Sequence, residues 1–294
     1  MTAPDSKRFR AALVQLRSGR EVKTNMEAAE ALIRQAAKGG ADYVQTPENT
    51  AIMELEPERL LAEITSEPES VPLQRLKALA AELRIWLHVG SLAMKIEPER
   101  VANRSYLIAP DGEVAASYDK LHLFDVDLAG GETYRESRLY RPGTKAVLAD
   151  LPFGRLGLSI CYDLRFPALY RALATAGAEF IAIPSAFTRQ TGEAHWRVLI
   201  RARAIETGAF VLAAAQGGTH ENGRSTYGHS MIVSPWGEVL AEAGEEPGVI
   251  FADIDLAQSA DARARIPSLK HGREFEVEIA TAPARPRMAR REAS

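Results

Sequence analysis

The sequence predicts an α/β protein built on mixed β-sheets, and three observations carry that prediction. Short apolar runs that suit buried strands alternate with segments whose apolar residues recur at helical spacing. Other neighbouring strands are joined directly by turn-forming residues, which adds antiparallel pairs and argues against a purely parallel barrel. Of 294 residues, 46% are hydrophobic and 26% charged, an ordinary balance for a globular chain able to bury a sizeable core.

Residues 8–16, RFRAALVQL, read as a first strand. Thr24 followed three positions later by Glu27 predicts a capping box for the next helix, whose face of Ala29, Leu32, Ile33 and Ala36 ends at Gly39 and Gly40. ADYVQTPEN (41–49) is a short strand ending at Pro47, which completes a strand, helix, strand unit. Pro72 opens a helix with Leu73, Leu76, Ala80 and Leu83 on one face, and 85–94 is a buried strand.

Residues 103–120 are two strands turning at Pro110-Asp111-Gly112, and 146–161 are a second hairpin. A helix with Leu169, Leu173 and Ala176 at helical spacing follows Pro167, and 178–187 is another buried strand. Thr191 is placed to cap a long helix through Ile205, with Gly208 as its stop. A strand at 210–218, a hairpin over 228–244 turning at Pro235-Trp236-Gly237, a strand at 248–255 and a short helix complete the order.

No repeat or interior linker marks a boundary, so residues 1–280 are expected to form one domain. Residues 281–294 are Pro- and Arg-rich without a periodic apolar face, the composition of a mobile tail.

The charge balance, 36 Lys plus Arg against 39 Asp plus Glu, leaves a net charge of -3 and no basic field for phosphates. Nucleic acid is therefore not an expected partner. No apolar run reaches membrane-spanning length, so no membrane partner is expected either. The single cysteine excludes an internal disulfide, and the polar start MTAPDSKRFR lacks an apolar signal-peptide core. A cytoplasmic location is the expectation.

That cysteine, Cys161, closes an apolar run and is followed by Tyr162, Asp163 and Arg165 and then by the helix after Pro167. A thiol at a strand-to-helix turn is expected near backbone N–H groups and a positive helix end, both of which favour thiolate. The competing reading is a small buried hydrophobe. A catalytic thiol needs an adjacent base or positive charge, and none of the six histidines has a decisive local signature. Glu48 directly follows a strand, as a catalytic carboxylate or as a turn residue that caps a helix. Lys120 leaves a strand into an apolar stretch, as a site cation or as a side chain that snorkels to water.

Together the three are stronger than apart. If their strands converge at one sheet edge, Glu48 can take the thiol proton, Lys120 can hold negative charge and Cys161 can attack. No close Cys/His cluster is present, so neither metal nor cofactor is expected.

The segments TPEN (46–49), DKLHLFDVD (119–127), SICYDLRFPALYRAL (159–173), PSAFTRQTGEAHW (184–196), RARAIET (201–207) and YGHSMIVSPWGEV (227–239) resemble the nitrilase, or carbon–nitrogen hydrolase, superfamily. The resemblance spans residues 8 to 275 and keeps the order Glu, Lys, Cys. It implies a four-layer αββα sandwich with two mixed sheets, a small-molecule amide substrate, and a homodimer or higher homo-oligomer joined through helices beside the site. It also implies Glu48 as general base and acid, Lys120 as electrostatic stabiliser and Cys161 as nucleophile, with Glu136, rather than Glu132, as the second glutamate.

Residues 201–224 and STYGHSM look most like the branch that hydrolyses deaminated glutathione, with the ω-amidase branch as its neighbour. Both substrates carry a 2-oxoacid carboxylate, for which Arg165 is the candidate anchor; the alternative for Arg165 is a salt bridge to Asp163 or a nearby glutamate. Tyr162, Phe187 and Thr191 are expected pocket neighbours by resemblance, and His195 and Trp196, near the start of a helix, are at least as suited to packing as to the pocket. A binding protein with a redox-sensitive thiol is the rival reading.

Overall fold

Two six-stranded mixed sheets, each covered by helices, form the body of the protein. The computed structural model describes residues 7–129 and 131–280, so the tail expected at 281–294 lies outside the described residues. The strands of the first sheet run in the order Gly248–Asp255, Arg8–Gln15, Tyr43–Gln45, Trp86–Glu97, Arg100–Ile108, Val114–Asp119. In the second the order is Val239–Glu242, Met231–Val233, Phe210–Ala213, Phe180–Ala182, Gly154–Leu158, Leu148–Leu151. Each sheet has a parallel centre and antiparallel margins, as helix-linked strands combined with hairpins require.

Alternation along the strands builds the layers. Phe9, Ala11 and Leu13 point into a core shared with Leu156, Leu158 and Phe180 of the second sheet, where Phe9 stacks on Phe153 at 4.1 Å. Ala12 and Val14 point the other way, into a core with Met26 and Ile33 of helix Val22–Lys38 and Leu76 of helix Val71–Leu83. Helices Pro167–Thr175 and Arg197–Thr207 pack on the second sheet and on each other. The order helix, sheet, sheet, helix is the αββα sandwich.

Local details differ from the sequence expectation. Helix Val22–Lys38 starts before Thr24, with Glu21 at its N-cap making no side-chain cap bond, so the capping box does not form. Asn25 anchors this end instead: its Oδ1 accepts from Gly19 N at 2.7 Å and its Nδ2 donates to the carbonyls of Gly19 and Ala51. The helix expected from Thr191 opens earlier, because Thr188 rather than Thr191 supplies the cap oxygen. A short turn, Arg189–Thr191, then passes through a π-helical stretch, Gly192–Trp196, into Arg197–Thr207, which stops at Gly208 as predicted. Helix Pro57–Glu63 and two small hairpins, Asp125–Asp127 with Thr133–Arg135 and Gly217–Thr219 with Ser225–Tyr227, were not legible in the sequence.

Candidate active site

Glu48 lies three residues beyond strand Tyr43–Gln45, and Lys120 directly follows strand Val114–Asp119. Both belong to the first sheet, whereas Cys161 follows strand Gly154–Leu158 of the second. The three therefore meet between two sheets, not at one edge of a single sheet as the sequence suggested. Close approach of the two layers depends on Gly90: a Cβ there would fall 2.1 Å from Thr46 O and 2.5 Å from Pro184 Cβ. No larger residue fits without moving the segment that carries Glu48.

Lys120 is the centre of the cluster. Its Nζ donates to Glu48 Oε1 at 2.9 Å and to both Glu136 oxygens, at 3.1 and 2.9 Å. Asn103 Nδ2 bridges the same carboxylates, at 2.9 Å to Glu48 and 3.2 Å to Glu136. Backbone N–H groups complete their fixing: Ala186 donates to Glu48 Oε2 at 3.0 Å, and Phe124 to Glu136 Oε2 at 2.6 Å. Glu132, by contrast, is exposed and its carboxylate accepts from Tyr134 Oη, so Glu136 is the carboxylate that enters the cluster.

The electrostatics assign protons. Burial alone would raise the Glu48 carboxyl, but the Lys120 ammonium and its hydrogen bond overcome this and hold Glu48 below the ordinary 4.5, as an anion. Burial would neutralise Lys120, yet Glu136 and Glu48 keep it charged, well above its usual range. Cys161, 6% exposed, is pushed up by burial and then by the Glu48 charge, with Lys120 opposing too weakly to reverse it. The resting site is thus a thiol beside a carboxylate and an ammonium. Cys161 opens a five-residue 3-10 segment, Cys161–Arg165, and the α-helix begins only at Pro167, so the helix end expected to favour thiolate does not start at Cys161.

Cys161 has φ +48°, a left-handed conformation that costs a non-glycine residue about 1–2 kcal/mol. The surrounding bonds hold it there. Its N–H donates to Pro184 O at 2.9 Å. Buried Asp163 accepts from Ile160 N, at 2.9 Å, and from Tyr118 Oη, at 2.6 Å. Its other oxygen accepts from His122 N at 3.0 Å and lies 2.7 Å from His122 Nδ1, while the His122 ring stacks on Phe166 at 3.6 Å. Asp163 therefore ties the turn carrying Cys161 to the loop carrying Lys120, a positioning role sequence reasoning did not find.

A cavity of about 370 Å³ opens onto this cluster, and Tyr162, Arg165, Phe187 and Thr191 all line it. Arg165 does not pair with Asp163, whose oxygens are taken, nor with another carboxylate among the described residues. Its guanidinium lies over the Phe187 ring at 5.3 Å and 3.2 Å from His195 Nδ1. Trp196 is fully buried against Phe187 and donates to His229 O at 2.8 Å, a packing role, whereas His195 is exposed beside Arg165 and does not pack. Asn103 and Arg224 also line the cavity and were missed in the sequence. Among the described residues there is no group of three or more His, Cys, Asp or Glu able to hold a metal, and no helix long and apolar enough to cross a membrane.

An αββα sandwich whose cavity holds a buried carboxylate, ammonium and thiol side by side is the architecture of a carbon–nitrogen hydrolase. Residues 10–264 match the carbon-nitrogen hydrolase family, and the chain belongs to it as an amide-hydrolysing enzyme. Over 269 residues it is 41% identical to the deaminated glutathione amidase of Synechocystis sp. (strain PCC 6803 / GT-S), covering 90% of this chain and 98% of that relative. The NitFhit protein of Caenorhabditis elegans superposes with a TM-score of 0.84 at 38% identity, over 90% of this chain and 65% of that one. A mutant of the amidase from Nesterenkonia sp. AN1, showing the result of Michael addition of acrylamide at the active site cysteine, superposes with a TM-score of 0.75 at 28% identity, over 88% of this chain and 98% of that one.

Proposed function

We propose that the protein hydrolyses deaminated glutathione to 2-oxoglutarate and cysteinylglycine through a thioester on Cys161. The observation that carries this reading is the Lys120 ammonium shared by Glu48 and Glu136 beside the only thiol in the chain. Glu48 takes the Cys161 proton as sulfur bonds to the amide carbon. Charge then moves onto the carbonyl oxygen, where the Lys120 ammonium and the Tyr162 backbone N–H stabilise it. A preorganised donor of this kind lowers a barrier by about 3 kcal/mol. As the tetrahedral adduct collapses, the C–N bond breaks and Glu48 returns its proton to the departing amine. Water, giving its proton to Glu48, attacks the thioester; collapse releases the acid and Glu48 restores the thiol.

Arg165, free of protein carboxylates among the described residues, is placed to pair with the 2-oxoacid carboxylate while Phe187 supports its guanidinium. The relatives named deaminated glutathione amidase support this substrate over a simple nitrile. The protein works as a homodimer in the cytoplasm. Exposed Val198 and Ile205, seven residues apart on one face of helix Arg197–Thr207, support association through that helix, and the absence of any disulfide partner for Cys161 suits a reducing compartment.

A substrate profile tests the assignment. Deaminated glutathione is expected to outrun 2-oxoglutaramate and a simple nitrile in kcat/KM. A faster release of ammonia from 2-oxoglutaramate would make the enzyme an ω-amidase, and no turnover of any of the three would favour a binding protein with a reactive thiol.

A further inference from the structure

Four arginines line the cavity, and their partners set one apart. Arg135 is tied to Asp127 at 2.6 Å, Arg138 is exposed, and Arg165 is the anchor proposed above. Arg224 is partly buried on the hairpin formed by Gly217–Thr219 and Ser225–Tyr227 and has no carboxylate partner among the described residues. Its Nε is buried without a hydrogen-bond partner, a state that costs about 1–3 kcal/mol of lost hydration. The rest of the group is held in place. Nη2 donates to Ala186 O, Nη1 approaches Met53 Sδ at 3.8 Å, and the guanidinium lies over the Tyr134 ring at 5.1 Å. A fixed cation that lines the cavity, and whose Nη1 meets only a thioether sulfur and no oxygen acceptor among the described residues, is suited to a ligand anion.

Its place in the site says which anion. The Ala186 N–H holds Glu48 Oε2, and the Ala186 carbonyl holds Arg224, so Arg224 is linked through one peptide residue to the acid that protonates the departing amine. Arg165, in contrast, leaves the nucleophile turn itself. Resting on the amidase reading above, we infer that Arg224 binds the carboxylate of the leaving half, the C-terminal carboxylate of the cysteinylglycine unit, while Arg165 takes that of the acyl half. Arg224 is then the residue that distinguishes a dipeptide leaving group from ammonia. Its positive charge also helps hold Glu48 ionised in the free enzyme.

The test compares deaminated glutathione with the same molecule carrying a C-terminal carboxamide, which keeps size and acyl half but removes the charge. The wild type is expected to prefer the acid by about 10- to 100-fold in kcat/KM, the value of a charge-assisted hydrogen-bonded pair. In Arg224→Gln that preference should fall to near unity, with Arg224→Lys, which keeps charge without the fork, in between. A wild type that treats acid and carboxamide alike overturns the proposal without any variant. Equal losses on both substrates in either variant, with the acid preference retained, also overturn it. If the wild type turns over neither compound, the substrate assignment itself has failed, and the role of Arg224 fails with it.

Discussion

Lys120 Nζ lies 2.9 Å from Glu48 Oε1 with both side chains buried, so neither charge can be removed without stranding the other. Lys120→Met should abolish turnover because the carbonyl oxygen loses its charged partner. It should also destabilise the protein by about 3–5 kcal/mol at neutral pH, since the buried Glu48 and the partly buried Glu136 lose their shared cation. The pH dependence has a definite sign. In the wild type Glu48 sits below 4.5, so the pair's contribution is complete above that value and is lost as pH falls through the lowered folded value. Without Lys120, burial pushes Glu48 up, and the variant loses stability as pH rises. The stability gap between the two proteins, measured by urea denaturation, should therefore narrow on acidification.

The reactivity of Cys161 is governed by the same pair. Burial raises the thiol first, and the Glu48 charge raises it further, so replacing Glu48 by Gln should lower the pH at which the thiol ionises while removing the base that catalysis needs. Glu48→Gln is expected to alkylate with iodoacetamide at a lower pH midpoint than the wild type, yet to hydrolyse amide at least about 100-fold more slowly. Cys161→Ala should show neither reaction and keep its fold, because exchanging a buried thiol for a methyl group is small. A midpoint that rises in Glu48→Gln would mean that Glu48 does not act on the thiol through its charge.

The carboxylate of Glu136 is fixed by Lys120 and by the Phe124 N–H, and it shares the ammonium with Glu48. Glu136→Gln keeps the shape but removes one of the two charges that keep Lys120 protonated. A large fall in kcat, about 100-fold, with an unchanged melting profile is the expected result. An unchanged rate would show that a single carboxylate suffices to orient Lys120.

How much of this was readable in the chain follows from where each residue stands. Glu48, Lys120 and Cys161 each lie just past a strand with a clear apolar pattern, so local sequence placed them at element ends. Asp163 gave no such signal, because its partners Tyr118 and His122 are 45 and 41 residues away and only the packing of the two sheets joins them. Arg224 sits on a hairpin with strands of three residues each, too short to print an alternation. Periodicity located the helix after Cys161 but neither the 3-10 segment that precedes that helix nor the burial that keeps the thiol protonated until Glu48 acts.

Asp163 permits one more prediction, which separates positioning from chemistry. Its two oxygens accept from Ile160, Tyr118 and His122, so Asp163→Asn must aim an amide N–H₂ at donors on one side or the other. A loss of about 2–3 kcal/mol is expected, read as a melting temperature lower by about 3–5 °C. Because Asp163 acts through the Cys161 turn and touches no substrate, kcat should fall by about 10-fold while the pH midpoint of thiol alkylation also moves, as the sulfur shifts relative to Glu48 and Lys120. A purely structural role would lower the melting temperature but leave that midpoint where the wild type has it.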